Sequence, residues 1–207
     1  MVEVTAQMIK QLREATGAGP LDCKKALEQT GGDMNKAVDF LREKGLAKAA
    51  KKLGAGRTMN EGLIEVYTHH NKRLGVIVEV NCETDFVANT PDFQMFAKDL
   101  ALHIANLAPK YLNREDVPAA EIEYERKIQL ARVMEEGKPE NIAEKIVEGR
   151  MAKYYEEVVL MEQKFLKDDS KSITDLLKEV VAKVGESIQI SRFARFALGE
   201  GEEASAE

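Results

Sequence analysis

Leu74-Gly75-Val76-Ile77-Val78-Glu79-Val80-Asn81-Cys82-Glu83-Thr84-Asp85-Phe86-Val87-Ala88-Asn89-Thr90-Pro91 is the stretch from which the rest of the chain can be placed. Its first half is strongly apolar. Val76, Val78, Val80 and Cys82 fall on one face at strand spacing and Ile77 on the other. Its end, Thr90-Pro91, opens a helix in which Phe93, Phe96, Ala97, Leu100, Ala101 and Ile104 form one broad apolar stripe. That stripe is expected to pack on the sheet. Residues 84–87 therefore occupy a strand-to-helix connection, where backbone is exposed and function concentrates. An acid beside an aromatic at such a place suits the insertion of an apolar wedge and a charge into a partner.

Working upstream, residues 63–68 place Ile64, Val66 and Thr68 on one face of a second strand. The short polar turn His70-Asn71-Lys72-Arg73 makes the two strands a hairpin. Strand alternation points the adjacent His69 and His70 rings to opposite faces. Working downstream, residues 118–158 read as two long helices. The first is striped by Ile122, Ile128, Ala131 and Met134, the second by Ile142, Ile146 and Val147. Glu136-Gly137-Lys138-Pro139 breaks them, and so short a break implies an antiparallel pair. The heptads are too ragged to define a coiled coil. The last helix begins at a capping box of Ser172 and Asp175. It carries Ile173, Leu176, Leu177, Val180, Val181 and Val184 inward and stops at Gly185. Ile188, Ile190, Ala194, Phe196 and Leu198 then alternate as a strand, Arg192 excepted, and this strand is expected to join the hairpin.

The first fifty residues read as three short helices. Thr5 caps the first, with Val4 and Ile9 as a hydrophobic staple, and Gly17 and Gly19 end it. Pro20 begins the second, with Leu21, Ala26 and Leu27 facing inward. Gly31-Gly32 stops it and Asp33 caps the third, whose stripe Ala37, Val38 and Leu41 precedes Gly45. Residues 48–57 are basic and Gly-punctuated, a short helical extension and then a linker without the aromatic residues that base stacking needs. The reading is an α+β protein in which a three-helix module (1–53) and a linker (54–60) precede an antiparallel sheet packed with helices (61–199). A protruding helical hairpin covers about 113–157, and an acidic tail (200–207) is expected to be disordered.

The chain has 207 residues, 44% of them apolar, enough for a buried core. The net charge of -6 argues against nucleic-acid binding, which needs a basic footprint. There is no apolar run of about 18 residues for a membrane span. The start, Met1-Val2-Glu3-Val4-Thr5, lacks the pattern of a secretory signal, so a cytoplasmic protein is expected. Cys23 and Cys82 have neither disulfide nor metal-ligand spacing and read as buried thiols. No metal site, no phosphate-binding glycine loop and no nucleophile elbow is expected, hence no cofactor and no enzyme. On the residues alone, Phe86 reads as a core residue tucked under its own loop and Asp85 as a capping or solvated acid. A binding adaptor built on the three-helix module, or a thiol enzyme using Cys82, are the other classes considered.

Residues 81–90 resemble the signature segment of the elongation factor Ts family, the guanine-nucleotide exchange factors of elongation factor Tu. Leu12-Arg13-Glu14-Ala15-Thr16-Gly17-Ala18-Gly19-Pro20-Leu21-Asp22-Cys23-Lys24-Lys25-Ala26-Leu27 is similar to that family's other signature. Gly137-Lys138-Pro139-Glu140-Asn141-Ile142-Ala143-Glu144-Lys145-Ile146-Val147-Glu148-Gly149-Arg150-Met151 resembles its later helical segment. The resemblance implies a ubiquitin-associated-like fold for the first module and a protruding helical hairpin. It reverses the bland reading of 84–87. Phe86 is implied to wedge between helices of the partner GTPase and Asp85 to disturb its magnesium ligation, with Thr84 and Val87 holding the loop and completing the contact. Leu21, and Pro20 where the family usually has a bulky apolar residue, are implied as a second contact. One hairpin-plus-helix unit, 62–108, in place of the two of longer members is similar to a short form. That form is implied to homodimerise and bind two copies of elongation factor Tu. Neither cysteine lies in the last strand, so no covalent link between copies is expected there.

Overall fold

A computed structural model describes residues 4–53, 59–137 and 139–200. Three helices come first: α1 (Ala6–Thr16), α2 (Pro20–Gln29) and α3 (Met34–Leu53). They close around Leu12, Cys23, Ala26, Leu27, Ala37 and Leu41, with Val4 and Ile9 packed against that core. Local chemistry sets their ends. The Thr5 side chain accepts the Met8 N–H, and Gly17 takes a left-handed conformation at φ 68°. Asp33 accepts the Lys36 N–H at 3.1 Å.

One expectation fails in this module. Leu21 does not face inward; it is 74% exposed on the first turn of α2. The position is one residue past Pro20, outside the inward stripe that Cys23, Ala26 and Leu27 define. α3 runs through Gly45 to Leu53, so the helical extension expected from residue 48 is continuous with it. A Cβ built at Gly45 would lie 3.3 Å from the Cβ of Ala182, so the glycine marks a close approach of two helices.

A hairpin follows, β1 (Glu61–Thr68) and β2 (Leu74–Cys82), closed by the His69 N–H on the Leu74 carbonyl at 2.9 Å. A one-turn helix, α4 (Asp85–Ala88), and the long α5 (Pro91–Leu107) come next. The pair α6 (Ala119–Glu135) and α7 (Glu140–Val158) precedes a small antiparallel pair not anticipated from the sequence, β3 (Lys164–Phe165) and β4 (Asp168–Ser172). The described chain ends with α8 (Ile173–Val184) and β5 (Ile188–Ala197). The last strand joins the hairpin as expected, in the order β1-β2-β5, and the fold class is α+β with small antiparallel sheets. Lys138, in the expected break between α6 and α7, the bulk of the linker and the acidic tail beyond Glu200 lie outside the described residues.

The chain divides into two compact units. The first combines residues up to Leu63 with Asn81–Gln94 and Leu177–Gln189. The second combines Ile64–Val80, Met95–Leu176 and the chain from Ile190 onward. In the second, Val76, Val78 and Val80 are fully buried, as are Phe96, Ala97, Leu100, Ala101 and Ile104. Ile64 and Val66 on β1, Ile77 on β2, and Phe196 and Leu198 at and just past the end of β5 stand in solvent. Inward alternation along β5 holds at Ile188 and Ile190. Further on Phe193, Ala194, Arg195 and Ala197 are all half-buried and Phe196 is exposed, so the strict alternation expected there is lost.

The α6–α7 pair is antiparallel and buries a smaller stripe than expected. Val133, Ala143, Val147 and Met151 form its core, while Met134 and Ile142 are exposed. Cross-helix ion pairs, Arg126–Glu148 at 2.6 Å and Arg150–Glu136 at 2.7 Å, flank the core. At the root, Glu121 accepts hydroxyl hydrogen bonds from Tyr111 and Tyr154 at 2.5 Å each. These bonds hold the Glu121 carboxyl below its usual range. Arg114 grips Glu162 through two nitrogens and lies 4.2 Å over the Tyr155 ring.

His103 is fully buried. Its Nδ1 accepts the Leu166 N–H at 3.2 Å, which leaves Nε2 to donate to Gln163 Oε1 at 2.9 Å. Burial lowers its pKa. The exposed pair departs from strand alternation: the His69 and His70 ring centroids are 4.2 Å apart, because the chain leaves the strand at Thr68. No helix among the described residues is long and apolar enough to cross a membrane.

Candidate functional site

The connection between β2 and α5 is a tied turn. Thr84 is extended (φ -135°, ψ 152°) and caps α4, its hydroxyl oxygen accepting the Val87 N–H at 3.4 Å. Four residues make too short a helix to hold itself, since nucleation fixes several dihedrals for one hydrogen bond. Neighbours supply the rest. The Cys82 thiol donates to the Thr84 carbonyl at 3.1 Å, and Val87 and Ala88 are buried. The Asn89 backbone N–H and side-chain amide both donate to the Asp85 carbonyl, at 3.1 and 2.8 Å. Thr90 donates its N–H and hydroxyl to the Val87 carbonyl at 2.9 and 2.8 Å, while its Oγ1 accepts the Phe93 N–H at 3.3 Å.

The start of the turn is anchored from the other end of the chain. Glu186 accepts the Thr84 N–H at 3.1 Å and the Thr84 hydroxyl at 2.9 and 3.1 Å to its two oxygens. In return, Glu83 accepts the Ser187 N–H at 2.8 Å. Sequence reading did not find Glu186. It follows a helix-ending glycine, 102 positions from its partner, and no local spacing marks it.

On this held turn Phe86 is 78% exposed, so the reading of it as core is overturned. Asp85 is exposed beside it, and its side-chain carboxylate makes no hydrogen bond or ion pair with another described residue. Val87 points the opposite way, into the interior. The four residues thus divide: Asp85 and Phe86 face outward, while Thr84 and Val87 fix them. An exposed aromatic with a fixed base and an adjacent free carboxylate can enter a cleft in another protein without reordering its own backbone.

Pro20 and Leu21 sit at the start of α2, and Asp22 fixes that start. Its carboxylate takes Lys44 at 2.9 Å and Lys48 at 3.4 Å from α3, and the Lys44 hydrogen bond leads in holding it below its usual range. Leu21 is left as an apolar knob in solvent. An open groove of about 860 Å³ runs along α3 and the end of α8. Its cations are already engaged: Arg42 with Glu179, Lys44 and Lys48 with Asp22, Lys183 with Asp92, and Lys52 with the Gly185 carbonyl.

Among the described residues there is no group of three or more His, Cys, Asp or Glu that could hold a metal ion. Cys23 and Cys82 are buried, and burial pushes the Cys82 thiol above its ordinary pKa. A buried, protonated thiol is a poor nucleophile, which leaves a Cys82 enzyme without support.

Comparison with known proteins covers nearly the whole chain. The profile of the family described as elongation factor TS matches residues 3–200. Among curated relatives, the elongation factor Ts of Thermoanaerobacter sp. (strain X514) is 56% identical over 202 residues, 98% of either chain. That of Desulfitobacterium hafniense is 57% identical over 97% of this chain and 92% of its own. That of Thermotoga petrophila is 55% identical over 98% of this chain and 100% of its own.

Proposed function

The chain belongs to the elongation factor Ts family, and from that premise we propose that it is the guanine-nucleotide exchange factor of elongation factor Tu, acting in the cytoplasm during translation elongation. It speeds GDP release and makes or breaks no bond. The observation that carries this reading is the 78% exposure of Phe86 on a turn whose backbone is tied at both ends. Phe86 wedges between helices of the GTPase beside its phosphate site. Asp85 brings a carboxylate near the bound magnesium, and displacing that ion removes the largest positive charge holding the phosphates. Thr84 and Val87 hold the turn. Leu21, with Pro20 setting the helix start, makes the second contact.

The energetics are those of coupled binding: whatever the exchange factor takes from nucleotide affinity, nucleotide takes from its own. About 4 kcal/mol of coupling corresponds to a roughly 10³-fold loss of nucleotide affinity. The active species is a homodimer, two chains with two GTPases. The exposed Ile64, Val66 and Ile77 of the hairpin supply apolar surface that a second copy would cover. Stopped-flow release of fluorescent GDP from purified elongation factor Tu tests the reading. A large, concentration-dependent acceleration supports exchange. A folded protein that leaves release at its intrinsic rate overturns it.

A further inference from the structure

Exposure makes Phe86 available but leaves it little packing of its own to set its direction. The backbone of 84–88 must set it. Buried Val87 and Ala88, with Thr90, hold the far end of the turn. The near end depends on one remote side chain, Glu186, which engages both the N–H and the hydroxyl of Thr84. The two segments bond in both directions, since Ser187 donates to Glu83. The turn that carries Glu186 is itself tied to the end of α3. The Lys52 ammonium donates to the Gly185 carbonyl, and Ser187 Oγ donates to the Lys52 carbonyl at 3.4 Å.

We infer that Glu186 is a positioning residue for nucleotide exchange: its carboxylate fixes the start of the Asp85–Ala88 turn and so sets the direction in which Phe86 and Asp85 meet the GTPase. The inference rests on the exchange reading above. A carboxylate suits the task because it is acceptor-only, and its charge shortens and strengthens bonds to an N–H and a hydroxyl together. Without it Thr84 keeps only the Cys82 thiol on its carbonyl and its own 3.4 Å cap bond to the Val87 N–H, a looser hold on the residue that precedes Asp85. A turn that pivots there presents Phe86 in many directions, and only a fraction of encounters is productive.

The test uses the full chain with elongation factor Tu carrying fluorescent GDP. The maximal release rate and the half-saturating concentration are measured for the wild type, Glu186→Ala, Glu186→Gln, Phe86→Ala and Phe86→Ala/Glu186→Ala. Glu186→Ala should lower the maximal rate about tenfold and move half-saturation by less than about threefold, because Leu21 and the rest of the surface still bind. Glu186→Gln keeps one acceptor oxygen and should fall between. With Phe86 already removed, Glu186→Ala should cost less than about twofold more, since residues acting through one another are not additive. Amide hydrogen exchange at Thr84 and Val87 should quicken in Glu186→Ala, with protection in the β2 strand unchanged; loss of that β2 protection would mean a folding role and overturn the inference. Wild-type exchange by Glu186→Ala beside a slow Phe86→Ala would also overturn it and leave the exchange reading intact. A loss fully additive to that of Phe86→Ala would overturn it too. Wild-type exchange by Phe86→Ala would sink the reading on which it rests.

Discussion

Replacing Phe86 with alanine separates a wedge from a core residue. A phenylalanine side chain presents about 200 Å², and with 78% of the residue in solvent about 150 Å² is free to be buried in a partner. At about 25 cal/mol per Å² that is a gross ~4 kcal/mol. Immobilising the ring and the area alanine still covers reduce the net to ~2–3 kcal/mol. Exchange at limiting concentration should therefore fall about 10²-fold. Stability should move by less than about 0.5 kcal/mol, because an exposed ring leaves no cavity. Stopped-flow GDP release gives the first number and urea unfolding the second. A stability loss of ~3 kcal/mol or more, the cost of emptying a packed phenylalanine site, would show that Phe86 is core in solution. An unchanged exchange rate in a folded variant would show that the ring touches nothing in the partner.

His103 makes stability depend on acid. Its folded pKa is lowered by burial, so below about pH 6.5 the unfolded chain takes up a proton that the folded chain refuses. Its penalty is absent above that pH and grows as pH falls, and urea unfolding at pH 7.5 and 5 should show a smaller difference for His103→Gln; equal differences would refute it. Tyr154 acts at the other end of the scale. Its pKa is raised, first by burial and then by Glu121, so the stability it adds is complete below pH ~10 and fades above. Tyr154→Phe should cost about 1 kcal/mol at pH 8 and flatten the alkaline loss, and a denaturant series from pH 8 to 11 checks both. At Gly45 the 3.3 Å approach of Ala182 leaves no room for a branched side chain, so Gly45→Val should lower stability by about 1–3 kcal/mol; a rise in the unfolding midpoint would refute the close-packing account. Ile77→Lys on the bare sheet face should leave a folded monomer by light scattering if that face is the dimer contact, and an intact dimer would place the contact elsewhere.

The sheet-and-helix frame was legible because its signals are local and redundant. β2 alternates, α5 repeats at helical spacing, and α8 opens on the expected Ser172–Asp175 box. What the sequence hid depends on which neighbour arrives. Leu21 fits the period of a helix, but it points away from the side of α2 that α3 meets and stays in solvent. Gly45 has a reason only once Ala182 is seen beside it. The α6–α7 seam runs through Val133 and Ala143, each one position from the expected Met134 and Ile142, because the side of each helix that meets the other is set by their packing and not by hydrophobicity alone. The pair β3–β4 carries charged residues such as Asp168 and Lys171 and lacks the alternation that announces a strand. Phe86 shows the limit most plainly: hydrophobicity alone sends it inside, while its place beside Asp85 on a strand-to-helix connection and the family resemblance pointed outward.

The two halves of the turn also explain why a bare aromatic can stay exposed. A phenylalanine in solvent invites collapse onto the nearest apolar surface, and Val87 and Ala88 already fill the space beneath it. To collapse, Phe86 would have to rotate the turn, breaking the Glu186 bonds at one end and the Thr90 bonds at the other. Each is worth only about 0.5–3 kcal/mol, yet both must break for one ring to gain at most ~3 kcal/mol of burial. The balance favours the outward ring. It also predicts the order in which the device fails: loosening the Glu186 end should first let Phe86 fold back, so a Glu186→Ala chain would lose exchange before it loses stability.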